Sequence, residues 1–364
     1  MTAGQADPVP VTLLTGFLGA GKTTLLNAML GDASAGRIAV IVNEFGEAGL
    51  DHDLIETSSD EIVLMQSGCL CCSIRGDLSR TMAGLLHRRA DGALHFDRVV
   101  IETTGMADPG PILQTLVVDP YLGFHTKLDG VVTVVDAANG PATLDAQFEA
   151  VSQVAMADMI VLSKTDLTAP GKVRAFGDRL TSINPAAQIL HAVRGEGTGA
   201  RLWGISGARH GVQAPQVLAW ATMPDALPDP LANLSGLGRP VPAPLPVHDT
   251  RIGSASIVLD DPIPEVVFDL WLDTLIGLRG PDILRVKGIV FLEGIDTPFV
   301  FHGVQQVFDA PVQLRDWTGD SRQSRIVVIA RDMSRPELQR SLDMLRGRMA
   351  RGQPNRHVTE VTYE

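Results

Sequence analysis

The sequence predicts a doubly wound α/β domain with a mostly parallel sheet, followed by a smaller α+β domain. Three observations lead to this prediction. Short apolar runs alternate with helical stretches in the first half, a proline-rich segment occupies residues 224–246, and a mixed pattern of strands and helices follows it. Compact Val/Ile/Leu runs are typical of strands covered on both faces by crossover helices. We therefore predict domains at residues 1–222 and 251–364, joined by a linker at residues 223–250.

The elements of the first domain follow from this alternation. Its predicted strands are residues 11–15, 38–42, 99–101, 131–135 and 159–162, and its predicted helices are residues 22–30, 78–88, 144–154 and 171–183. A strand that alternates with a helix in this way favours βαβ units and a parallel sheet.

The linker and the second domain have different signals. Seven of the 23 residues at 224–246 are proline, which cannot donate to a helix or a strand ladder. Beyond it, we predict strands at residues 255–259, 284–292, 299–304 and 326–330, and helices at residues 265–278 and 336–349. Ser334 and Pro336 give the last helix an N-cap residue and a first-turn proline.

Composition excludes several classes of protein. The formal net charge of −12 argues against a nucleic-acid partner, although it does not exclude a single nucleotide. No stretch approaches the ~20 apolar residues of a membrane helix, and the N-terminus is not a secretory signal. Only three cysteines are present, and they fall at positions 69, 71 and 72, so a disulfide scaffold is excluded. We expect a cytoplasmic protein with no membrane partner.

The segment GFLGAGKT at residues 16–23 matches the phosphate-binding pattern G-x-x-x-x-G-K-[ST]. It has the required context, an apolar strand before it and a helix after it. Backbone N–H groups of such a loop point at a phosphate bound at the helix N-terminus. Lys22 would reach the β- and γ-phosphates, and Thr23 would offer its hydroxyl to Mg²⁺. The predicted nucleotide contacts in this loop are Gly16, Gly19, Ala20, Gly21, Lys22, Thr23 and Thr24.

A predicted strand that ends in Glu102 supplies the acid of a nucleotide hydrolase. A carboxylate at this place holds Mg²⁺ directly or through water, so we predict Lys22 and Glu102 as catalytic residues and Thr23 and Glu102 as magnesium contacts. The segment ETTG at residues 102–105 also has the spacing of a D-x-x-G switch, with Glu in place of Asp. In that reading, the Gly105 N–H contacts the γ-phosphate.

The segment SKTD at residues 163–166 is the candidate base-reading element, where GTP-hydrolysing proteins usually carry N-K-x-D. The Asp166 carboxylate would accept from guanine N1–H and N2–H₂, while the Lys164 stem covers the base. Adenine lacks that pair of donors, so GTP is favoured over ATP. Ser163 replaces the usual Asn and loses its amide, so we expect weaker base discrimination.

The cysteine cluster Cys69, Cys71 and Cys72 indicates a soft metal site, since thiolates select Zn²⁺, Cu⁺ or Fe–S over Mg²⁺. Three thiolates leave a fourth position open, which suits transfer better than storage. Glu44 lies after the second predicted strand and is a candidate fourth ligand. Inert buried thiols, a redox-sensing thiol and, for Glu44, a solvated loop acid remain alternatives at this point.

Taken together, these motifs resemble the CobW/zinc-chaperone group of P-loop GTPases. The similar segments are GFLGAGKTT at 16–24, NEFG at 43–46, GCLCC at 68–72, ETTGMADP at 102–109 and SKTD at 163–166, with RVKG at 285–288 and HGVQ at 302–305 in the second domain. The resemblance implies a GTP-dependent metallochaperone or insertase for zinc, cobalt or iron at the C-x-C-C motif. It also implies a client metalloprotein, and a homodimer is compatible with this class.

We therefore predict slow hydrolysis of GTP to GDP, coupled to capture or transfer of Zn²⁺, with Co²⁺ or Fe²⁺ as other cargoes. Two rival functions remain open from the sequence. The first is a nucleotide-gated metal buffer or sensor without turnover, and the second is a P-loop small-molecule kinase. Many relatives carry a His-rich tract between the domains, whereas residues 224–246 lack one, which argues for transfer rather than storage.

Overall fold

A computed structural model describes residues 7–42, 63–66, 74–205, 251–308, 311–314, 317 and 322–347. In this part of the chain, no helix is long and apolar enough to cross a membrane. A parallel sheet with helices on both faces is followed by an antiparallel sheet with two helices, so the predicted fold class is confirmed. Residues 206–250 lie outside the described ranges, and the predicted linker and domain boundaries stay a prediction.

The N-terminal sheet is parallel at every described strand pair. Its strands are β1 (Val9–Gly16), β2 (Ile38–Val42), β3 (Val63–Gln66), β4 (Arg98–Glu102), β5 (Thr126–Asp136), β6 (Met159–Ser163) and β7 (Gln188–His191). They lie in the order β3–β2–β4–β1–β5–β6–β7. The strand carrying the phosphate-binding loop is therefore central, which places its carboxyl end in the middle of the ligand-binding edge.

Helices cover both faces of this sheet because its strands are apolar on both sides. The helices are α1 (Lys22–Leu30), α2 (Ile74–Ala90), α3 (Gly110–Val118), α4 (Pro120–His125), α5 (Gly140–Ala146), α6 (Phe148–Met156) and α7 (Pro170–Ile183). Successive strand side chains point to opposite faces. Leu13 of β1 accordingly packs in one buried cluster with Met82 of α2, while Leu14 packs in another with Leu26 of α1.

Two predicted helices differ from the structure. Residues 144–154 were predicted as one helix, but α5 ends at Ala146 and α6 begins at Phe148. Gln147 separates them because its backbone is extended, with φ −124° and ψ 114°. The closing helix, predicted at residues 336–349, is shorter, and α-helical structure ends at Asp343. A single turn of 3₁₀-helix follows at Met344–Arg346.

The C-terminal sheet is antiparallel. Its elements are β8 (Ile252–Leu259), α8 (Glu265–Arg279), β9 (Ile283–Val290), β10 (Phe299–Val304), β11 (Val307–Phe308), β12 (Val312–Gln313), β13 (Ser324–Arg331) and α9 (Arg335–Asp343). The strand order is β11–β10–β9–β13–β8, and β12 pairs with β10. Ser334 caps α9 as predicted, and its backbone N–H donates to Glu337 Oε2 at 2.8 Å.

The two sheets share one buried apolar cluster. Leu284, Val304 and Ile329 of the C-terminal domain belong to the same cluster as Ile112 of α3 and Met156 of α6. Burial of this kind favours a fixed contact between the domains, since interfaces rich in apolar area resist relative motion. The C-terminal domain therefore packs directly on α3 and α6, two helices of the nucleotide-binding half.

Candidate nucleotide site

The phosphate-binding loop follows β1 and leads into α1. Gly16 has φ +142°, and a Cβ at this position would lie 2.4 Å from the carbonyl oxygen of Val134, so glycine is required there. Gly21, with φ +101°, is the N-cap residue of α1. Lys22 Nζ donates to the carbonyl oxygens of Gly16 at 3.0 Å and Phe17 at 3.3 Å. The lysine thus lies across the mouth of the loop, where a phosphate would meet it.

Glu102, the predicted acid of the nucleotide site, lies beside this loop. Leu14 of β1 is in register with Glu102 of β4, so the two strands end at the same edge of the sheet. Thr23 Oγ1 lies 3.4 Å from Glu102 Oε1, and Glu102 is only 6% exposed. The structure brings together the hydroxyl and the carboxylate that the sequence predicted as magnesium contacts.

The segment after β4, residues 102–109, is called the switch segment below. Gly105 lies directly against the phosphate-binding loop, because an added Cβ would be 2.6 Å from the Leu18 backbone nitrogen. On its other side, Gln153 Nε2 donates to the carbonyl oxygens of Gly105 at 3.2 Å and Ala107 at 3.0 Å. The switch segment is therefore held between the loop and helix α6.

The base-reading element borders a cavity of about 270 Å³. Ser163 Oγ donates to the Ala20 carbonyl at 2.7 Å, so the hydroxyl ties the element to the phosphate-binding loop without an asparagine amide. Lys164 has φ +54°, and its Nζ donates to the Gly19 carbonyl at 2.7 Å. The cavity is also lined by Thr24, Asp166, Ala192, Arg194 and Gly195. The cavity thus lies between the phosphate-binding loop and the candidate base-reading element.

Asp136, at the end of β5, holds Lys164 in place. Its Oδ2 accepts from Lys164 Nζ at 2.8 Å, and its Oδ1 accepts from the backbone N–H of Ala138 and of Asn139. Burial alone would raise the pKa of this carboxyl. The hydrogen bonds from Lys164, Asn139 and Ala138 outweigh that effect and hold the pKa below its usual value. Asp136 is thus a carboxylate that supports the base-reading lysine.

Sequence reasoning missed three residues of this region. Asp136 ends an apolar strand as Glu102 does, so the same signal could have found it. Arg194 lies in the loop after β7, a strand that was not predicted, and Gln153 lay inside a helix with no motif around it. The cavity-lining and switch contacts of these residues come from tertiary packing and not from a local pattern.

The predicted soft-metal ligands lie outside the described residues. Glu44, Cys69, Cys71 and Cys72 are in this group, and the structure gives no geometry for them. Among the residues that are described, no cluster of three or more His, Cys, Asp or Glu side chains could hold a metal ion. His302 of β10 is buried, at 2% exposure.

The parallel sheet and the phosphate-binding loop with its Thr23–Glu102 pair define a P-loop nucleotide-binding protein. Residues 10–191 match the family described as CobW/HypB/UreG, nucleotide-binding domain, and residues 252–346 match the cobalamin synthesis protein CobW C-terminal domain. The chain belongs to this CobW/HypB/UreG family.

Two curated relatives match over nearly the whole chain. The zinc chaperone YjiA of Escherichia coli is 33% identical, with 93% of this chain and 99% of the relative covered. The zinc chaperone CobW of Pseudomonas aeruginosa is 31% identical, with 92% and 90% covered. A crystal structure of Zn(II)-bound YjiA GTPase superposes with a TM-score of 0.66 at 28% identity, covering 94% of this chain and 100% of the other. The general class is thus that of GTPase metallochaperones.

Proposed function

We propose that this protein hydrolyses GTP and couples the GTP/GDP state to the capture and transfer of zinc. The observation that carries the proposal is the shared carboxyl edge of strands β2, β3 and β4. Val42 at the end of β2 is in register with both Glu102 of β4 and Gln66 of β3. The described ends of β2 and β3, which precede the predicted metal ligands in the chain, therefore lie beside the acid of the nucleotide site.

Chain length supports this proximity. Glu44 follows Val42 by two residues, and Cys69 follows Gln66 by three. A residue spans at most about 3.6 Å of chain, so the Cα of Cys69 is within about 11 Å of that of Gln66. Adjacent strands are about 4.8 Å apart. We infer that Cys69, Cys71, Cys72 and Glu44 form a soft-metal site whose geometry depends on what occupies the nucleotide site.

The geometry of the described residues supports the proposed nucleotide roles. Lys22 is proposed to exchange its bonds with the loop carbonyls for bonds with the β- and γ-phosphates. The backbone N–H groups of Gly19, Ala20, Gly21, Lys22, Thr23 and Thr24 are proposed to surround the phosphates at the N-terminus of α1. Gly105 is proposed to contact the γ-phosphate, and Lys164 and Asp166 the guanine base.

Magnesium fits the pair formed by Thr23 and Glu102. A hydroxyl and a buried carboxylate 3.4 Å apart are hard oxygen donors of the kind that Mg²⁺ binds, usually together with substrate phosphates and water. When bound, Mg²⁺ would neutralise charge on the β- and γ-phosphate oxygens. The protein's own contribution is to hold Thr23 and Glu102 in place. The backbone N–H of Thr103 assists, since it donates to the Leu14 carbonyl at 2.9 Å.

Zinc is proposed as cargo and not as a resident cofactor. Three thiolates leave one position of a tetrahedral Zn²⁺ open, which suits hand-over to another protein. A relative in Schizosaccharomyces pombe, 38% identical over 52% of this chain and 47% of its own length, is named zinc-regulated GTPase metalloprotein activator 1. That name supports a client metalloprotein for this chain too. Cobalt and iron are the other cargoes, and a homodimer remains a prediction.

A turnover experiment tests the proposal. Phosphate release should be measured from GTP and ATP, with and without zinc, for wild type and a Cys69/Cys71/Cys72→Ser variant. We expect turnover with GTP in preference to ATP, and a zinc effect on the rate in wild type that the variant lacks. A Zn(II)-bound structure of YjiA with one glutamate and two cysteines replaced by alanine is known, so zinc binding alone is not a sufficient readout.

Two results would contradict the proposal. No phosphate release from GTP under any condition would favour a metal buffer or sensor that uses the nucleotide only as a ligand. A zinc effect of equal size in wild type and variant would remove the cysteines from the mechanism.

A further inference from the structure

Helix α6 contacts the switch segment through a side chain that donates to two of its backbone carbonyls. Gln153 is 1% exposed, and its Nε2 donates to the carbonyl oxygens of both Gly105 and Ala107. The orientation of its amide is fixed by chemistry, since a flipped amide would place Oε1 against two carbonyl oxygens. Gln153 thus holds the Gly105 carbonyl, while the Cα of the same glycine lies against Leu18 of the phosphate-binding loop.

The end of α6 that carries Gln153 is anchored at nearly every free carbonyl. The last four carbonyls of a helix have no partner within it. Here, Thr133 Oγ1 donates to the Gln153 carbonyl at 2.9 Å. Asn184 Nδ2 donates to the carbonyls of Val154, Ala155 and Ala157 at 2.9–3.0 Å. Three of the last four carbonyls of α6, those of Gln153, Val154 and Ala155, therefore accept from side chains outside the helix.

The residue that follows this helix end is held by the C-terminal domain. Asp158 is fully buried, and its carboxylate accepts from the Val131 N–H at 3.0 Å, from Arg285 Nη2 and from Lys287 Nζ at 3.3 Å. Arg285 and Lys287 lie on β9, whereas Asp158 lies between α6 and β6. One buried acid therefore joins the helix that holds the switch segment to the C-terminal sheet.

The C-terminal domain also contacts the other flank of the switch segment. Gly110 begins α3 directly after residues 102–109, and a Cβ added there would lie 2.6 Å from Gln305 Nε2. Gln305 follows β10 in a left-handed conformation, with φ +56°. Helix α3 follows the switch segment in the chain, and helix α6 is hydrogen-bonded to it. Both helices contact strands of the C-terminal domain, α3 at β10 and α6 at β9.

From these contacts we propose that Gln153 is a positioning residue for the switch segment, and that the C-terminal domain acts on GTP hydrolysis through Asp158 and α6. In this arrangement, a displacement of β9 changes how firmly Gly105 is held against the phosphate-binding loop. The inference rests on the proposed GTPase reaction but not on zinc handling.

The test replaces Gln153 with Met, which has a similar shape and no donor. Loss of two neutral hydrogen bonds to the switch segment should lower kcat about 10-fold and weaken binding of a non-hydrolysable GTP analogue. Affinity for GDP should stay within about two-fold of wild type, because GDP has no γ-phosphate to meet the switch segment. Gln339→Met on α9 is the matched control and should change none of these quantities.

Arg285→Met tests the connection to the C-terminal domain independently. The substitution leaves the Lys287–Asp158 ion pair in place, so Asp158 keeps a cationic partner. It also removes the Arg285 Nε and Nη1 atoms, which are buried with no hydrogen-bond partner among the described residues. We expect Arg285→Met to lower kcat at least about 3-fold and to leave GDP affinity unchanged. In the double variant Gln153→Met/Arg285→Met, the fold-loss of kcat should be smaller than the product of the two single fold-losses.

Two results would overturn the inference. If Gln153→Met weakens GDP and the GTP analogue equally, Gln153 has a structural role only. If the fold-changes of the two substitutions multiply to within about two-fold, α6 does not connect the domains. A wild-type protein without GTP turnover would remove the proposed function instead, and the two nucleotide affinities would still decide the role of Gln153.

Discussion

Replacing Lys22 with Met is expected to lower kcat for GTP hydrolysis by about 10²–10³-fold. In the structure, Lys22 Nζ bonds to the Gly16 and Phe17 carbonyls at the place where the phosphates would enter. A positive charge that is already in place where negative charge develops on the transferred phosphoryl group lowers the barrier by on the order of 3–4 kcal/mol. Methionine keeps the length of the side chain and loses this charge. Single-turnover phosphate release with saturating nucleotide measures the effect.

The matched control for this prediction is Lys172→Met. Lys172 is exposed on α7 and lies outside the nucleotide site, so its removal should leave kcat within about two-fold of wild type. Retention of more than a tenth of the wild-type rate in Lys22→Met would mean that this lysine does not act on the transferred phosphate.

Replacing Asp158 with Asn is expected to lower the free energy of unfolding by about 3–5 kcal/mol. Arg285 and Lys287, 1% and 3% exposed, would then lose the carboxylate that they share. Removal of one partner from a buried ion pair is far more destabilising than removal of an exposed one, because an uncompensated charge is left out of water. Urea unfolding at neutral pH measures the change, with the m-value as a check on two-state behaviour.

The pH dependence of stability has a defined sign at this residue. Burial alone would raise the pKa of Asp158, but Arg285, Lys287 and His302 lower it to about 2, from its usual 3.8. The folded-state pKa is thus below the unfolded-state value. Above pH 4, the ionised Asp158 carboxylate therefore contributes about 2 kcal/mol to the free energy of unfolding. This contribution is lost as the pH falls from about 4 to 2. The difference between wild type and Asp158→Asn should narrow over the same range.

Two further variants make the Asp158 prediction specific. Adding Arg285→Met and Lys287→Met to Asp158→Asn should restore most of the stability, since buried ion clusters replaced by apolar groups are often neutral or better. Asp145→Asn breaks the exposed ion pair with Arg179 and should cost less than about 1 kcal/mol. Equal losses for Asp145→Asn and Asp158→Asn would contradict the role given to burial.

Strong local patterns predicted most of the fold. The segment at residues 38–42 is a strand with the predicted ends, and residues 22–30 form the predicted helix. The strands β3 and β7 were missed because each has only four residues and carries little pattern. The break at Gln147 was missed because a helical period continues through it, and only tertiary packing selects its extended backbone.

Three local motifs predicted the position of the candidate nucleotide site. The loop at residues 16–24 contacts both Glu102 and Lys164 in the structure, while the roles of these residues stay a prediction. The Asp158–Arg285 pair could not be found this way, because the two residues are 127 positions apart and charged side chains usually indicate solvent. Gln153 was missed for the same reason, since only the packing of α6 brings it to Gly105.

The thermodynamic coupling between zinc binding and nucleotide binding tests the central proposal most directly. The zinc affinity of wild type should be measured by competition with GDP bound and with a non-hydrolysable GTP analogue bound, and the affinity for that analogue should be measured with and without zinc. We expect a coupling of about 1–3 kcal/mol, about 5–150-fold, with the same factor in both directions. The coupling should disappear in the Cys69/Cys71/Cys72→Ser variant. Equal zinc affinities in the two nucleotide states would contradict a GTP-driven metal transfer.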